Sequence, residues 1–102
     1  MLDVWIDSPD NGNRVGRTFC ARGGWGATHG SPFIQCNIQG KTFTASVVAN
    51  DTWDCTCSGL SDGTGVSLVA EIYDHQGGTL GDSDSKSITI DHTVPNVTCD
   101  DK

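Results

Sequence analysis

Strict alternation of apolar and polar side chains limits the fold of this sequence more than any other feature. Val66, Leu68, Ala70 and Ile72 occupy one parity of a single stretch, and Ser67, Val69, Glu71 and Tyr73 occupy the other. Successive side chains of an extended backbone point to opposite faces, so the pattern describes a strand with one face in a core. Ile34, Cys36 and Ile38 repeat it against Phe33, Gln35 and Asn37, and Trp53, Cys55 and Cys57 repeat it against Thr52, Asp54 and Thr56. No long stretch keeps a 3.6-residue period between caps, so helices are not expected.

Reading along the chain gives seven strands. Val4 to Asp7 is the first, closed by the turn formers Ser8-Pro9-Asp10-Asn11-Gly12-Asn13. Thr18 to Arg22 is the second. Gly23-Gly24-Trp25-Gly26 is expected to break it and open a loop to about Ser31, because glycine weakens regular structure. Pro32 to Ile38 pairs as a hairpin with Thr42 to Val48 across Gln39-Gly40-Lys41. Thr52 to Cys57, Val66 to Tyr73 and Ser87 to Asp91 complete the set, with an acidic, serine-rich turn expected around Asp82 and Asp84. Strands of this number and length pack as two layers, and Trp53 is the expected core anchor.

A chain of 102 residues fits one domain. Six basic against thirteen acidic residues give a net charge of −7, which repels a phosphate backbone and argues against nucleic acid as a partner. No apolar run reaches the roughly 18 residues of a membrane span, so no membrane insertion is expected, and an export signal is expected upstream of this sequence. Five cysteines in so short a chain point to disulfides and an oxidising, extracellular setting.

Several motifs bear on chemistry. Gly59-Leu60-Ser61-Asp62-Gly63 fits the Gly-x-Ser-x-Gly of a hydrolase nucleophile elbow, but that device needs a helix after the serine, so a turn between strands is expected instead. His29, His75 and His92 share no metal-ligand spacing and read as loop residues. Cys20, Cys36, Cys55 and Cys57 are the disulfide candidates. Cys36 points inward and is the best partner for Cys55 or Cys57, and a second bridge would join Cys20 to the one remaining, leaving Cys99 over; a zinc site shared by the four is conceivable. Phe19 and Cys20 cannot both point inward, which weakens the second bridge. Asn50-Asp51-Thr52 and Asn96-Val97-Thr98 are formal glycosylation sequons. Trp5, Trp25 and Tyr73 are aromatics for an outer surface, with Trp25 and Tyr73 the candidate ligand contacts.

Three segments are more specific than the class when taken in order: Asn50-Asp51-Thr52-Trp53, Gly59-Leu60-Ser61-Asp62-Gly63-Thr64, and Ile88-Thr89-Ile90-Asp91-His92-Thr93-Val94-Pro95. Their order and spacing resemble those of bacterial immunoglobulin-like domains, which occur in tandem in large repetitive surface adhesins. The resemblance implies an immunoglobulin-like Greek-key β-sandwich of about seven antiparallel strands over residues 1–95, with residues 96–102 a linker or the start of a following module. The glycine-rich insert and the cysteines depart from the family pattern. The expected function is that of a non-catalytic structural or adhesive module at the bacterial cell surface or outside the cell. Its expected partners are neighbouring domains of the same chain and a host protein or glycan. No cofactor is required; calcium could bridge Asp10 and Asp91 to a neighbouring module, with Asp7, Asp100 and Asp101 at the same junction. The alternative is a carbohydrate-binding accessory module of a secreted enzyme, using Trp25 as its platform.

Overall fold

The alternating segments are strands in the computed structural model, which describes residues 2–26, 32–48 and 51–99. In chain order they are β1 (Asp3–Ser8), β2 (Arg14–Val15), β3 (Phe19–Gly26), β4 (Phe33–Ile38), β5 (Lys41–Thr44), β6 (Ser46–Val48), β7 (Thr52–Cys57), β8 (Gly63–Tyr73) and β9 (Leu80–Ile90). Two sheets result, one ordered β1-β3-β7-β6 and the other β2-β9-β8-β4-β5. All pairings are antiparallel except that of β2 with β9. The architecture is an all-β two-layer sandwich, without a helix among the described residues.

One parity of each long strand fills the space between the layers. Val4, Ile6, Phe19, Ala21 and Trp53 come from the first sheet, and Ile34, Ile38, Leu68, Ile72, Ile88 and Ile90 from the second; all are buried. Each large apolar side chain so placed contributes about 1.5–3 kcal/mol relative to exposure.

Nine strand segments stand among the described residues where alternation alone predicts seven. The short β2 is one addition. The other comes from the run Thr42 to Val48, which is divided between the sheets. The N–H of Ala45 donates to the Ile34 carbonyl at 2.9 Å as the last rung beside β4, and the next residue begins β6 in the opposite sheet. A single buried alanine makes this corner, and alternation cannot reveal it because parity continues through the bend.

The glycine run was expected to end the second strand, yet β3 continues through Gly23, Gly24, Trp25 and Gly26. Here glycine removes steric conflict. A Cβ on Gly23 would stand 1.8 Å from the Trp5 carbonyl oxygen and 2.8 Å from the Trp53 ring, and one on Gly24 would stand 2.3 Å from the Trp5 ring. Only a strand without side chains at these positions can lie between the two indoles.

The acidic turn expected at Asp82 and Asp84 is also strand, since β9 starts at Leu80. Both carboxylates are half-buried and reach across to β1, the edge of the other sheet. The N–H of Val4 donates to Asp82 Oδ2 at 3.0 Å, and that of Ile6 to Asp84 Oδ2 at 2.8 Å. Bonds of this charge-assisted kind satisfy the outward donors of an edge strand that would otherwise invite pairing with another chain.

After β9 the chain turns at Asp91, whose N–H donates to the Val15 carbonyl at 2.8 Å, and runs back along the first sheet. Residues 96–99, read from the sequence as linker or the start of a further module, are bonded there. The Val97 N–H donates to the Thr18 carbonyl at 3.0 Å, the Thr18 N–H to Asn96 Oδ1 at 3.2 Å, and the Cys99 N–H to Thr56 Oγ1 at 3.1 Å.

The glycines of β3 give a direct test. Gly23→Ala is expected to lower unfolding stability in urea by about 1–3 kcal/mol through overpacking. Gly26→Ala is the control: its Cβ meets nothing nearer than 3.8 Å, and the change is expected to stay under about 1 kcal/mol.

Candidate functional site

Alternation in β3 sends Phe19 and Ala21 inward and Cys20 and Arg22 outward. Cys20 therefore lies on the outer side of the first sheet, where it forms a disulfide with Cys99 at a Cα–Cα separation of 4.9 Å. This corrects the expected pairing of Cys20 with Cys55 or Cys57 and the expected surplus of Cys99. Cys55 and Cys57 face the interior, so the sheet itself separates them from Cys20. The same separation prevents the four cysteines from converging on a zinc ion. The bridge spans 79 residues, and a closed loop of that length is worth roughly 4–5 kcal/mol in chain entropy.

Cys36, Cys55 and Cys57 are free thiols buried in the core. Cys36 projects inward from β4 and Cys55 and Cys57 from β7, and the Cys55 sulfur lies 3.7 Å from the carbonyl of Phe43, the residue paired with Cys36. The facing Cys55 and Cys57 thiols, and then burial, hold Cys36 well above the usual thiol range, so it keeps its proton.

The aromatic candidates sit differently from one another. Trp53 is 1% exposed, and its Nε1–H is shared between the carbonyls of Trp5 at 3.2 Å and Gly24 at 3.1 Å. The indole of Trp25 is half-buried against the core and donates to the Thr52 carbonyl at 2.9 Å, which fixes it as a packing residue of β3. Tyr73 is half-buried, with its ring centroid 6.1 Å from that of Phe33 and its hydroxyl donating to Glu71 Oε1 at 3.3 Å. Burial and the adjacent Glu71 charge raise its hydroxyl above the usual phenol range. Gln35 donates to the same carboxylate oxygen at 2.9 Å, and Asn37 does so too, so this outer surface of the second sheet is cross-linked by its own side chains.

Trp5 is the aromatic that stays in solvent, at 43% exposed. It shares the outer surface of the first sheet with an open cleft of about 690 Å³ lined by Asp7, Ser8, Arg22, Gly23, Thr52, Trp53 and Asp54.

Asp10 and Asp91, the expected calcium pair, are not neighbours. Asp10 accepts from the Asn11 N–H at 2.8 Å and pairs with Lys86 at 3.2 Å. Asp91 accepts from the N–H and hydroxyl of Thr93 at 2.9 and 2.7 Å and faces Arg14 at 3.7 Å. Lys86 and Asp91 are five positions apart (91 − 86) along and just beyond β9, which is about 17 Å of extended chain. Asp91 instead adjoins Asp62 and His92, and the ligand atoms of the three lie within 4.8 Å of one another. Asp62 already pairs with Arg17 at 2.9 Å and with His92. The group is thus an exposed network of ion pairs that ties the start of β8 to the segments flanking β3 and following β9.

Ser61 of the Gly-x-Ser-x-Gly segment is exposed, and its N–H and carbonyl bond to Gln39 Oε1 and Nε2, both at 2.8 Å. The chain enters β8 two residues later, where an elbow would need a helix. His75 is exposed and pairs with Asp74 at 2.8 Å. His29, Asn50, Asp100 and Asp101 lie outside the described residues.

The sequence held a signal for Cys99: an inward Phe19 implies an outward Cys20. The Asp62, Asp91 and His92 group had none, because Asp62 meets the adjacent Asp91 and His92 only through the pairing of β8 with β9.

The ion pairs generate a pH dependence. Hydrogen bonds from His92 and Arg17 hold Asp62 below the ordinary value of 3.8, bonds from Thr93 do the same for Asp91, and bonds from Asn11 and Lys86 do so for Asp10. A carboxyl depressed in the folded state adds stability in full above its unfolded value and loses it as pH falls through the folded value. Urea midpoints are therefore expected to fall between about pH 5 and about pH 2, more steeply at low salt than in about 1 M NaCl, and His92→Ala should make the fall shallower.

Comparison of the chain with protein-family models, curated proteins and solved structures found no match.

Proposed function

We propose that the chain is an immunoglobulin-like Greek-key module of a secreted or cell-surface bacterial protein, related to bacterial immunoglobulin-like domains, that acts mechanically as a spacer or adhesive unit. The observation that carries this reading is the clasp of Cys20 to Cys99. Tension entering at the N-terminal side and leaving beyond Cys99 passes through residues 2–20, crosses the disulfide, and bypasses everything between. The seven strands from β3 to β9 then carry no load through their backbone.

What remains under load is β1 with the short β2. Leu2 lies against Gly81 near the turn between β8 and β9, whereas Cys20 lies four residues down β3 from Gly24, the partner of Trp5. β1 and β3 are antiparallel. Pulling the N-terminal end away from Cys20 therefore slides the two strands past each other and loads their hydrogen bonds together rather than singly. The bonds from Val4 and Ile6 to Asp82 and Asp84 add to the same resistance. A principal extent of 41 Å against 25 and 20 Å suits end-to-end stacking.

Single-molecule extension between N- and C-terminal handles tests this reading. The oxidised protein is expected to lengthen by only about 20 residues, on the order of 70 Å, and the reduced protein by the full chain, on the order of 350 Å. Full-length extension before reduction, or extension of β1 without a force threshold, would overturn the proposal.

A carbohydrate-binding role is the second reading, favoured by exposed Trp5 on the same sheet surface as the cleft lined by Arg22 and Asp54. An aromatic face next to hydrogen-bonding side chains suits a sugar ring. On a glycan array, binding by the wild type that disappears in Trp5→Ala supports this role, and absence of binding by both removes it.

A further inference from the structure

Three of the five cysteines take no part in the clasp or in the load path, and they share one place in the core. Cys36 projects inward from β4 in the second sheet, while Cys55 and Cys57 project inward from β7 in the first; exposures are 0%, 2% and 0%. Contacts between the two strands bring these inward faces together across the core. The sulfur of Cys55 also lies 3.7 Å from the carbonyl of Phe43, the residue paired with Cys36 across β4 and β5. Thiols from opposing sheets thus face one another across the core, in a chain whose outer cysteines are already oxidised.

We infer that Cys36 is a disulfide site: under the conditions that form Cys20–Cys99, it forms a second, inter-sheet bridge to either Cys55 or Cys57, and the third thiol stays reduced. Cys36 is the obligatory member. Cys55 and Cys57 are two apart on one extended strand, with parallel side chains that bond poorly to each other, whereas Cys36 faces both from across the core.

The chemistry requires a disulfide oxidant, either a small-molecule disulfide or a protein dithiol oxidase. One thiolate attacks the oxidant's S–S bond to give a mixed disulfide and release one oxidant thiolate. The second cysteine thiolate attacks the mixed disulfide, forms the inter-sheet S–S bond and releases the other. Two protons and two electrons leave the protein, and the oxidant becomes a dithiol or two thiols. Because all three sulfurs are sealed from solvent, the exchange takes place before the sheets close, during folding. The bridge lies inside the loop closed by Cys20–Cys99, so the load path is the same with or without it.

The test is to refold the reduced chain in a buffer of oxidised and reduced glutathione, block thiols in denaturant and measure intact mass and a non-reducing tryptic map. Cleavage after Arg17, Arg22, Lys41 and Lys86 places Cys20 in 18–22, Cys36 in 23–41, Cys55 and Cys57 in 42–86, and Cys99 in 87–102. The wild type is expected to show one blocked thiol, with 23–41 linked to 42–86 and 18–22 linked to 87–102. Three blocked thiols alongside an intact 18–22 to 87–102 link would overturn the inference, as would a bridge confined within 42–86. In variants that keep the β-sheet circular dichroism of the wild type, Cys36→Ala should leave two blocked thiols, and Cys55→Ala or Cys57→Ala should leave none. A variant that does not fold leaves the wild-type map to decide alone.

Discussion

The sandwich depends on the burial of one indole against a strand stripped of side chains. Trp53 is the largest fully buried residue, and its ring occupies the space that a Cβ on Gly23 would enter. Its N–H would be costly to bury without a partner, and the carbonyls of Trp5 and Gly24 share it. One side chain of β7 thereby fixes the position of β1 and β3 together. On the outer surface the same bare stretch of β3 makes room for Trp5. The glycine run is thus a packing requirement set by two tryptophans from different strands.

Around that centre, the two sheets are held by interactions of different kinds at their margins. At the β1 edge, half-buried Asp82 and Asp84 reach from β9 to backbone N–H groups, which gives two of the thirteen acidic residues a structural task. At the β5–β6 edge, one continuous run of chain belongs to both sheets and turns at Ala45. On the outer side of β3, Cys20 and Cys99 fasten the C-terminal segment where β7 already offers Thr56 as an acceptor. These ties leave β1 and β2 as the only described strands outside the covalent loop, and the mechanical reading rests on that asymmetry.

Much of this architecture was legible beforehand, and what was not follows a rule. Inward residues such as Ile34, Ile38, Leu68 and Ile72 were readable because burial of one strand face repeats every second residue. The loop expected at Gly23 to Gly26 and the turn expected at Asp82 and Asp84 both came from composition. Glycine and aspartate are poor strand formers on average, but here the contacts that reverse the average come from Trp5 and Trp53 and from the N–H groups of Val4 and Ile6. Trp25 and Tyr73 suggested a surface for ligands because aromatics near glycines or on an outer parity often are exposed. The Thr52 carbonyl and the Glu71 carboxylate engage their polar atoms instead.

The sequence by itself determined which side of its own strand each residue takes, since the two-residue repeat of an extended chain is a local property. That was enough to specify two layers and to place Cys36, Cys55 and Cys57 inside, but it left open whether Phe19 or Cys20 takes the inward side of β3. Only the tertiary structure decided which strands become neighbours, and therefore that Cys20 meets Cys99, that Asp82 and Asp84 meet β1, and that Asp62 meets His92. Those partners are 30 to 79 residues apart. Their meeting depends on the order of strands in the sheets, a property of how the whole core closes that no single segment encodes.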